Sequence, residues 1–164
     1  LLALTSPLHD LGRIGIPDHI LRKPDRLTPE ERRLMQEHCR IGARILEGAD
    51  EDPLLAMAST IALSHHEWWD GSGYPQGLAG EGIPLAARIV ALADVYDALC
   101  SARPYKDAFS RKQVFEHMRR GAGRQFDPGV YAVFERSIDQ FEAVRRGFGD
   151  PAHDEPGPGP VERV

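Results

Sequence analysis

The sequence predicts an all-α domain. Apolar residues recur at helical spacing over long stretches, and helix-start signals stand ahead of several of them. No stretch alternates apolar and polar residues as a half-buried strand would.

Taken in order, Ser6 to Gly12 reads as a short helical turn with Ser6 as cap and Pro7 at the first helical position. Residues Arg13 to Leu27 carry Gly, Pro and Asp at short intervals and read as an ordered loop. Thr28-Pro29-Glu30-Glu31 is a capping box with Pro at N1. The helix it opens repeats Leu34, His38, Ile41 and Ile45 on one face and is expected to stop at Gly48. A third helix spans about Leu54 to His66, apolar nearly all round and therefore expected in the core. Glu67 to Ile83, rich in Gly and aromatics, reads as a loop. Pro84 opens a fourth helix reaching about Ala102, interrupted only by Arg88, Asp94 and Asp97. Ser110 with Gln113 caps a fifth, and Asp127-Pro128 opens a sixth that runs to about Arg146. From about Gly147 the chain turns to Gly, Pro and acidic residues, so 149–164 is expected to be a disordered tail after a domain over 1–148.

With 164 residues the chain is one domain by length and needs no disulfide to bury a core. Its formal charge of −5 excludes bulk attraction to DNA or anionic lipid, so an anionic substrate must meet a local basic pocket. Cys39 and Cys100 stand apart and form no metal-binding pair; such scarcity suits a reducing cytoplasm. No apolar run approaches the roughly 18 residues of a membrane span. The absence of an initiator Met and of a signal peptide is read as a chain cut upstream.

Four segments place ligand-type side chains where an ordinary core would not. His9-Asp10 is an adjacent pair whose side chains point about 100° apart on a helix. Alone, it fits a helix-terminal His beside a capping Asp. His38 lies on an apolar face, where a hydrogen-bonded core residue is the commoner case. Gly42, one turn on, would admit close approach of a neighbour. His65-His66 ends an apolar helix, where surface placement at the helix C-terminus competes evenly with a ligand role. Asp94 interrupts an apolar helix; burying it requires an ion pair, with Arg88 or Arg103 for instance, or a metal. Together, His9, Asp10, His38, His65, His66 and Asp94 make six nitrogen and oxygen donors. Such mixed sets suit Fe, Mn or Zn. Six donors are too many for one catalytic ion with open positions, and fit a pair of ions about 3.5–4 Å apart.

At this point the sequence resembles the HD-GYP domain, a branch of the HD phosphohydrolase superfamily. The resemblance rests on His9-Asp10-Leu11-Gly12-Arg13-Ile14-Gly15, His38-Cys39-Arg40-Ile41-Gly42 and His65-His66-Glu67. It continues in Trp69-Asp70-Gly71-Ser72-Gly73-Tyr74-Pro75, Ala93-Asp94-Val95-Tyr96-Asp97 and Arg103-Pro104-Tyr105-Lys106. The resemblance implies an HD-type bundle of about six or more helices and a phosphodiesterase that cleaves cyclic di-GMP, with either pGpG or GMP as the end product. It implies that the six donors hold two divalent ions, Fe or Mn, or three in a longer chain. Asp10 and Arg13 are the implied catalytic pair, and Tyr74, Arg103 and Lys106 the implied substrate contacts. A diguanylate cyclase (GGDEF) partner, an upstream receiver or sensor domain and a homodimer are further implied partners.

The sequence departs from the family in two respects. Arg13 stands where the family usually has Lys, and Arg is a poor proton donor. The helices that precede the His-Asp pair in relatives, and supply a third ion's ligands, are absent from this chain. Arg13 therefore leaves open a domain that binds nucleotide or partner without turnover, and a related hydrolase of another cyclic dinucleotide is the other alternative.

Overall fold

The computed structural model describes residues 1–47, 52–101 and 109–148. The expected helix stop at Gly48, the implied substrate contacts Arg103 and Lys106, and the tail 149–164 lie outside the described residues.

The regular elements among the described residues are helical, as the periodicity predicts. Their only strand-type pairing is an isolated bridge between Ala122 and Phe126. In chain order the helices are α1 (Leu2–Thr5), α2 (Asp18–Leu21), α3 (Pro29–Gln36), α4 (His38–Ile45), α5 (Pro53–Ser64), α6 (Leu85–Cys100), α7 (Arg111–Gly121), α8 (Pro128–Arg136) and α9 (Ile138–Phe148). Short 3₁₀ turns occupy Ser6–Leu8, Leu11–Gly15 and Gly80–Gly82.

The caps explain where the helices begin. Thr28 and Glu31 close the expected capping box: the Glu31 amide donates to Thr28 Oγ1 (3.2 Å) and the Thr28 amide to Glu31 Oε2 (2.8 Å). Ser110 and Gln113 form the equivalent box at α7. Asp52 accepts from the Leu54 amide, so α5 starts at Pro53. Asp127 accepts from the amides of Gly129 and Val130 at the head of α8, and its other oxygen pairs with Arg88 at 2.6 Å. Arg88 thereby joins α6 to α8 instead of pairing with Asp94.

Four elements depart from the sequence expectation. The long helix after Thr28 is two, α3 and α4, meeting at Glu37, whose amide bonds the Leu34 carbonyl in a tighter turn. At the same step the His38 ring takes the Met35 carbonyl (2.7 Å). Leu34 and Ile45 at the ends of the expected stripe stay half-exposed, while His38 is buried. The sixth helix likewise divides at Ser137 into α8 and α9. The 13–27 stretch contains a 3₁₀ turn and α2 rather than a plain loop. Ser6 is not an N-cap: the residues before it are already helical, it ends α1, and the chain continues through Pro7 in 3₁₀ geometry.

Packing is organised around α5 and α6. The Leu11–Gly15 turn and α5 both lie against α4, and α5 packs on α1 and α6. A second cluster, Leu92, Leu99, Val114, Met118, Phe126 and Phe134, joins α6 to α7 and α8. The first group of contacts builds the site; the second anchors the helix that carries Asp94.

Candidate metal centre

Two glycines set the site's first dimension. A Cβ on Gly12 would stand 1.9 Å from the His38 carbonyl oxygen and 2.4 Å from the Gly42 nitrogen. One on Gly42 would meet Ala62 Cβ and the Gly12 nitrogen, each at 3.2 Å. The backbones therefore cross with no room for a side chain. This crossing presses the His9-Asp10 turn against α4, and the close approach anticipated at Gly42 is made by Gly12.

Around it the donors converge. Ligand atoms of Asp10, His38, His65 and His66 all lie within 4.8 Å of one another. His38 Nε2 and His65 Nε2 stand 3.5 and 3.9 Å from Asp10 Oδ1. His9 Nε2 lies 3.3 Å from Asp10 Oδ2 and 3.7 Å from Asp94 Oδ1, linking Asp94 to the group. All six expected donors are thus brought to one place. His65 and His66 follow the last residue of α5, with His65 buried and His66 half-buried. Asp97, three residues beyond Asp94, is exposed.

The rings are oriented for coordination. Nδ1 of His9 lies 2.7 Å from the Ser6 carbonyl, and Nδ1 of His38 lies 2.7 Å from that of Met35. Nδ1 of His65 is shared between the carbonyls of Ile61 (3.0 Å) and Ala62 (3.1 Å). A carbonyl only accepts, so Nδ1 carries the proton and Nε2 of a neutral ring presents its lone pair to the cluster. His38 Nε2 and His65 Nε2 then face each other at 3.4 Å as two acceptors, an arrangement that a cation between them relieves. His9 Nε2 and Asp10 Oδ1 are buried without a well-aligned hydrogen bond, meeting their neighbours as ion pairs, His9 with Asp10 Oδ2 and Asp10 Oδ1 with Arg13. This donor set fits divalent metal ions.

The proton affinities follow from the same contacts. The carboxylates of Asp10 and then Asp94 raise His9 to about 10. Burial, aided by neighbouring histidines, pushes His65 down to about 4 and His66 down to about 3. Burial also lowers His38. For Asp10, burial opposes ionisation, but His9 and then Arg13 outweigh it and hold the carboxyl below its usual range. His9 likewise lowers Asp94. Arg13, half-exposed, sets its Nε 2.8 Å from Asp10 Oδ1.

Tyr74 forms one wall. Its ring stacks on His66 at 4.8 Å and 28°, and stands edge-on to His38 at 6.5 Å. The loop carrying it is tied down at many points. The Tyr74 amide donates to the His66 carbonyl, and Arg40 donates to the Pro75 carbonyl. The Trp69 and Asp70 amides donate to the carbonyls of Gln125 and Arg124. Glu67, which sequence reasoning quoted only as part of a motif, is 2% exposed and accepts from the amides of Gln76 (2.7 Å) and Leu78 (2.9 Å). A carboxylate directly after two histidines and before a Gly-rich loop was the available signal for it.

A helical domain on which six His and Asp donors converge defines a candidate metal-binding domain. A model of the HD domain matches residues 2–130, and the chain belongs to that family, which bears out the resemblance drawn from the motifs. A cyclic di-GMP phosphodiesterase of Vibrio cholerae serotype O1 is 50% identical over 156 residues, covering 93% of this chain and 32% of that protein. The cyclic di-GMP phosphodiesterase response regulator RpfG of Xanthomonas campestris pv. campestris is 46% identical, covering 88% of this chain and 38% of its own length. The 3'3'-cGAMP-specific phosphodiesterase 2 of Vibrio cholerae is 43% identical, covering 88% and 28%. The chain thus spans about a third of the length of the curated relatives it matches. A crystal structure of a cyclic GMP-AMP-specific phosphodiesterase from V. cholerae shares the fold, with a TM-score of 0.59 at 22% identity over 88% of this chain and 39% of that one. Among the described residues, no helix is long and apolar enough to cross a membrane.

Proposed function

We propose that this domain, over residues 1–148, is a metal-dependent phosphodiesterase that hydrolyses cyclic di-GMP to pGpG and onward to GMP. The observation that carries the reading is the convergence of His9, Asp10, His38, His65, His66 and Asp94, with Nε2 of three rings freed toward one centre. Relatives at 45–50% identity that are named cyclic di-GMP phosphodiesterases support the substrate.

The six donors would hold two divalent ions, Fe or Mn, with a third in a longer protein. Bound there, the ions supply Lewis acidity toward phosphate oxygens and lower the pKa of water. The chain's residues do the rest. The backbone carbonyls of Ser6, Met35 and Ile61 fix Nδ1 of three rings so that Nε2 faces the cluster, and His9 would give up its Nε2 proton on binding an ion. Asp10 presents one oxygen to His38 and His65 and the other to His9, so it is placed to serve more than one ion. Arg13 holds Asp10 ionised from the open side and remains exposed enough to meet a phosphate. Tyr74 closes one side against water and offers a ring edge to a base. Arg103 and Lys106 would supply the remaining positive charge for the substrate. A diguanylate cyclase partner, an upstream receiver or sensor domain, a homodimer and a cytoplasmic location complete the reading.

The test is incubation of the protein with cyclic di-GMP, and separately with cyclic GMP-AMP, in Mn(II) or Fe(II), with products resolved by chromatography. We expect cyclic di-GMP to be cleaved. Asp10→Ala should lower turnover by more than the roughly 10- to 100-fold that loss of an outer-shell partner costs. Equal turnover in that variant would sink the enzyme reading. Preferential cleavage of cyclic GMP-AMP would favour the second substrate, for which the 43% identical relative gives a reason. An inactive parent rescued by Arg13→Lys would identify a binding module that has lost turnover through Arg13.

A further inference from the structure

We propose that Glu67 is a positioning residue for the metal centre, holding Tyr74 against His66 and thereby fixing the His66 ring. The inference rests on the reading that the cluster binds metal. Three of the four clustered histidines have their rings set by backbone carbonyls. Among the described residues, His66 makes no such bond; its ring is held by the Tyr74 ring, stacked at 4.8 Å, and by its histidine neighbours. The orientation of His66 therefore depends on where the loop puts Tyr74.

Glu67 decides that. Its carboxylate is buried and reaches across its own loop, one oxygen to the Gln76 amide and the other to the Leu78 amide. Tyr74 lies inside the segment so closed. Gly73 seals the inner side: a Cβ there would stand 2.2 Å from the Trp68 nitrogen and 2.6 Å from Glu67 Cα. Two charge-assisted bonds to backbone amides are stronger than neutral ones and give each carboxylate oxygen a partner. Glutamine at this position would keep the shape but not the function, because its NH2 would face a backbone N–H that it cannot accept from.

The chain of contact is thus Glu67, loop, Tyr74, His66. Outer-shell partners that orient a ligand change metal affinity by about 10- to 100-fold. The proposal is tested by titrating Mn(II) into the parent chain, Glu67→Gln, Tyr74→Leu and Tyr74→Phe, with free ion followed by electron paramagnetic resonance. Affinity should fall about 10- to 100-fold in Glu67→Gln and Tyr74→Leu. It should stay close to the parent in Tyr74→Phe, which keeps the stacking ring. In the metal-free chain, imidazole ¹⁵N spectra of Glu67→Gln should show the His66 signals displaced while those of His9, His38 and His65 hold. Parent-like affinity in folded Glu67→Gln and Tyr74→Leu, or all four rings shifting together, would overturn the proposal. A parent that binds no Mn(II) would instead remove the metal reading, and the ring spectra would still decide the positioning of His66. If Glu67→Gln does not fold, Tyr74→Leu carries the same test.

Discussion

His9 and His66 stand in one cluster with opposed proton affinities, one raised to about 10 and the other depressed to about 3. Each implies a pH dependence for the metal-free protein. His65 and His66 bind fewer protons folded than unfolded between their lowered values and the ordinary 6.5. Their contribution is complete above pH 6.5 and is lost as pH falls toward about 4 and about 3. His9 works the other way: its contribution is complete below 6.5 and is lost as pH rises toward about 10. The metal-free chain should therefore be most stable near neutrality, with thermal midpoints falling on both sides. His9→Gln should flatten the alkaline limb, and because His9 also holds Asp10 and Asp94 ionised it should shift the acid limb as well. A midpoint that keeps falling above pH 7 in that variant would assign the alkaline loss elsewhere. The six donors were legible from residue type and position, because buried His and Asp need partners. The partners were not legible. Ser6, Met35 and Ile61 act through carbonyls that every residue has, so nothing in their side chains announces the role. Nor does the sequence show that Arg88 would choose Asp127 over Asp94.

The helices were legible to different degrees, and local chemistry explains the difference. The starts of α3, α7 and α8 were read because capping groups act over three residues and are written in adjacent letters. The breaks at Glu37 and Ser137 were missed because the apolar repeat runs through them. The break at Glu37 has a consequence for the site, since it falls where the His38 ring takes the Met35 carbonyl. Between elements, the Leu11–Gly15 turn meets α4 with backbone on backbone. Gly12→Ala must push the turn away from α4, because the atom it meets is a carbonyl oxygen and cannot rotate aside. We expect a loss of about 1–3 kcal/mol, as for other overpacked core positions. Metal affinity should fall with it, since Asp10 moves relative to His38. Gly82→Ala, where a Cβ meets nothing within 4 Å, is the control for the glycine change itself. Denaturant midpoints and Mn(II) titration of the two variants separate these outcomes.

At the scale of the molecule, the donors come from four segments between His9 and Asp94, carried by α4, α5, α6 and the turn after Ser6–Leu8. Ions held across these segments would bind the native chain far better than the unfolded one. Stability should then rise by about 2.7 kcal/mol at a hundredfold excess over Kd, a thermal shift of about 5–10 °C for a domain of this size. Chelator should reverse the shift, and His65→Ala should abolish it; a shift that persists in that variant would place the ion elsewhere. The bundle itself was readable from periodicity. The ties between the Tyr74 loop and the α7–α8 turn, from Trp69 to Gln125 and from Asp70 to Arg124, were not, because they run through backbone groups. The Gly12–Gly42 crossing also bears on whether this site could be moved to another protein. Transplanting the six donor residues onto a different helical scaffold would carry over the chemistry without the reach. Productive sites tolerate errors of only about 0.5 Å, and here the spacing of the first two donor segments is fixed by two residues that have no side chain to copy. A faithful graft would have to import those two bare backbones together with the imidazoles.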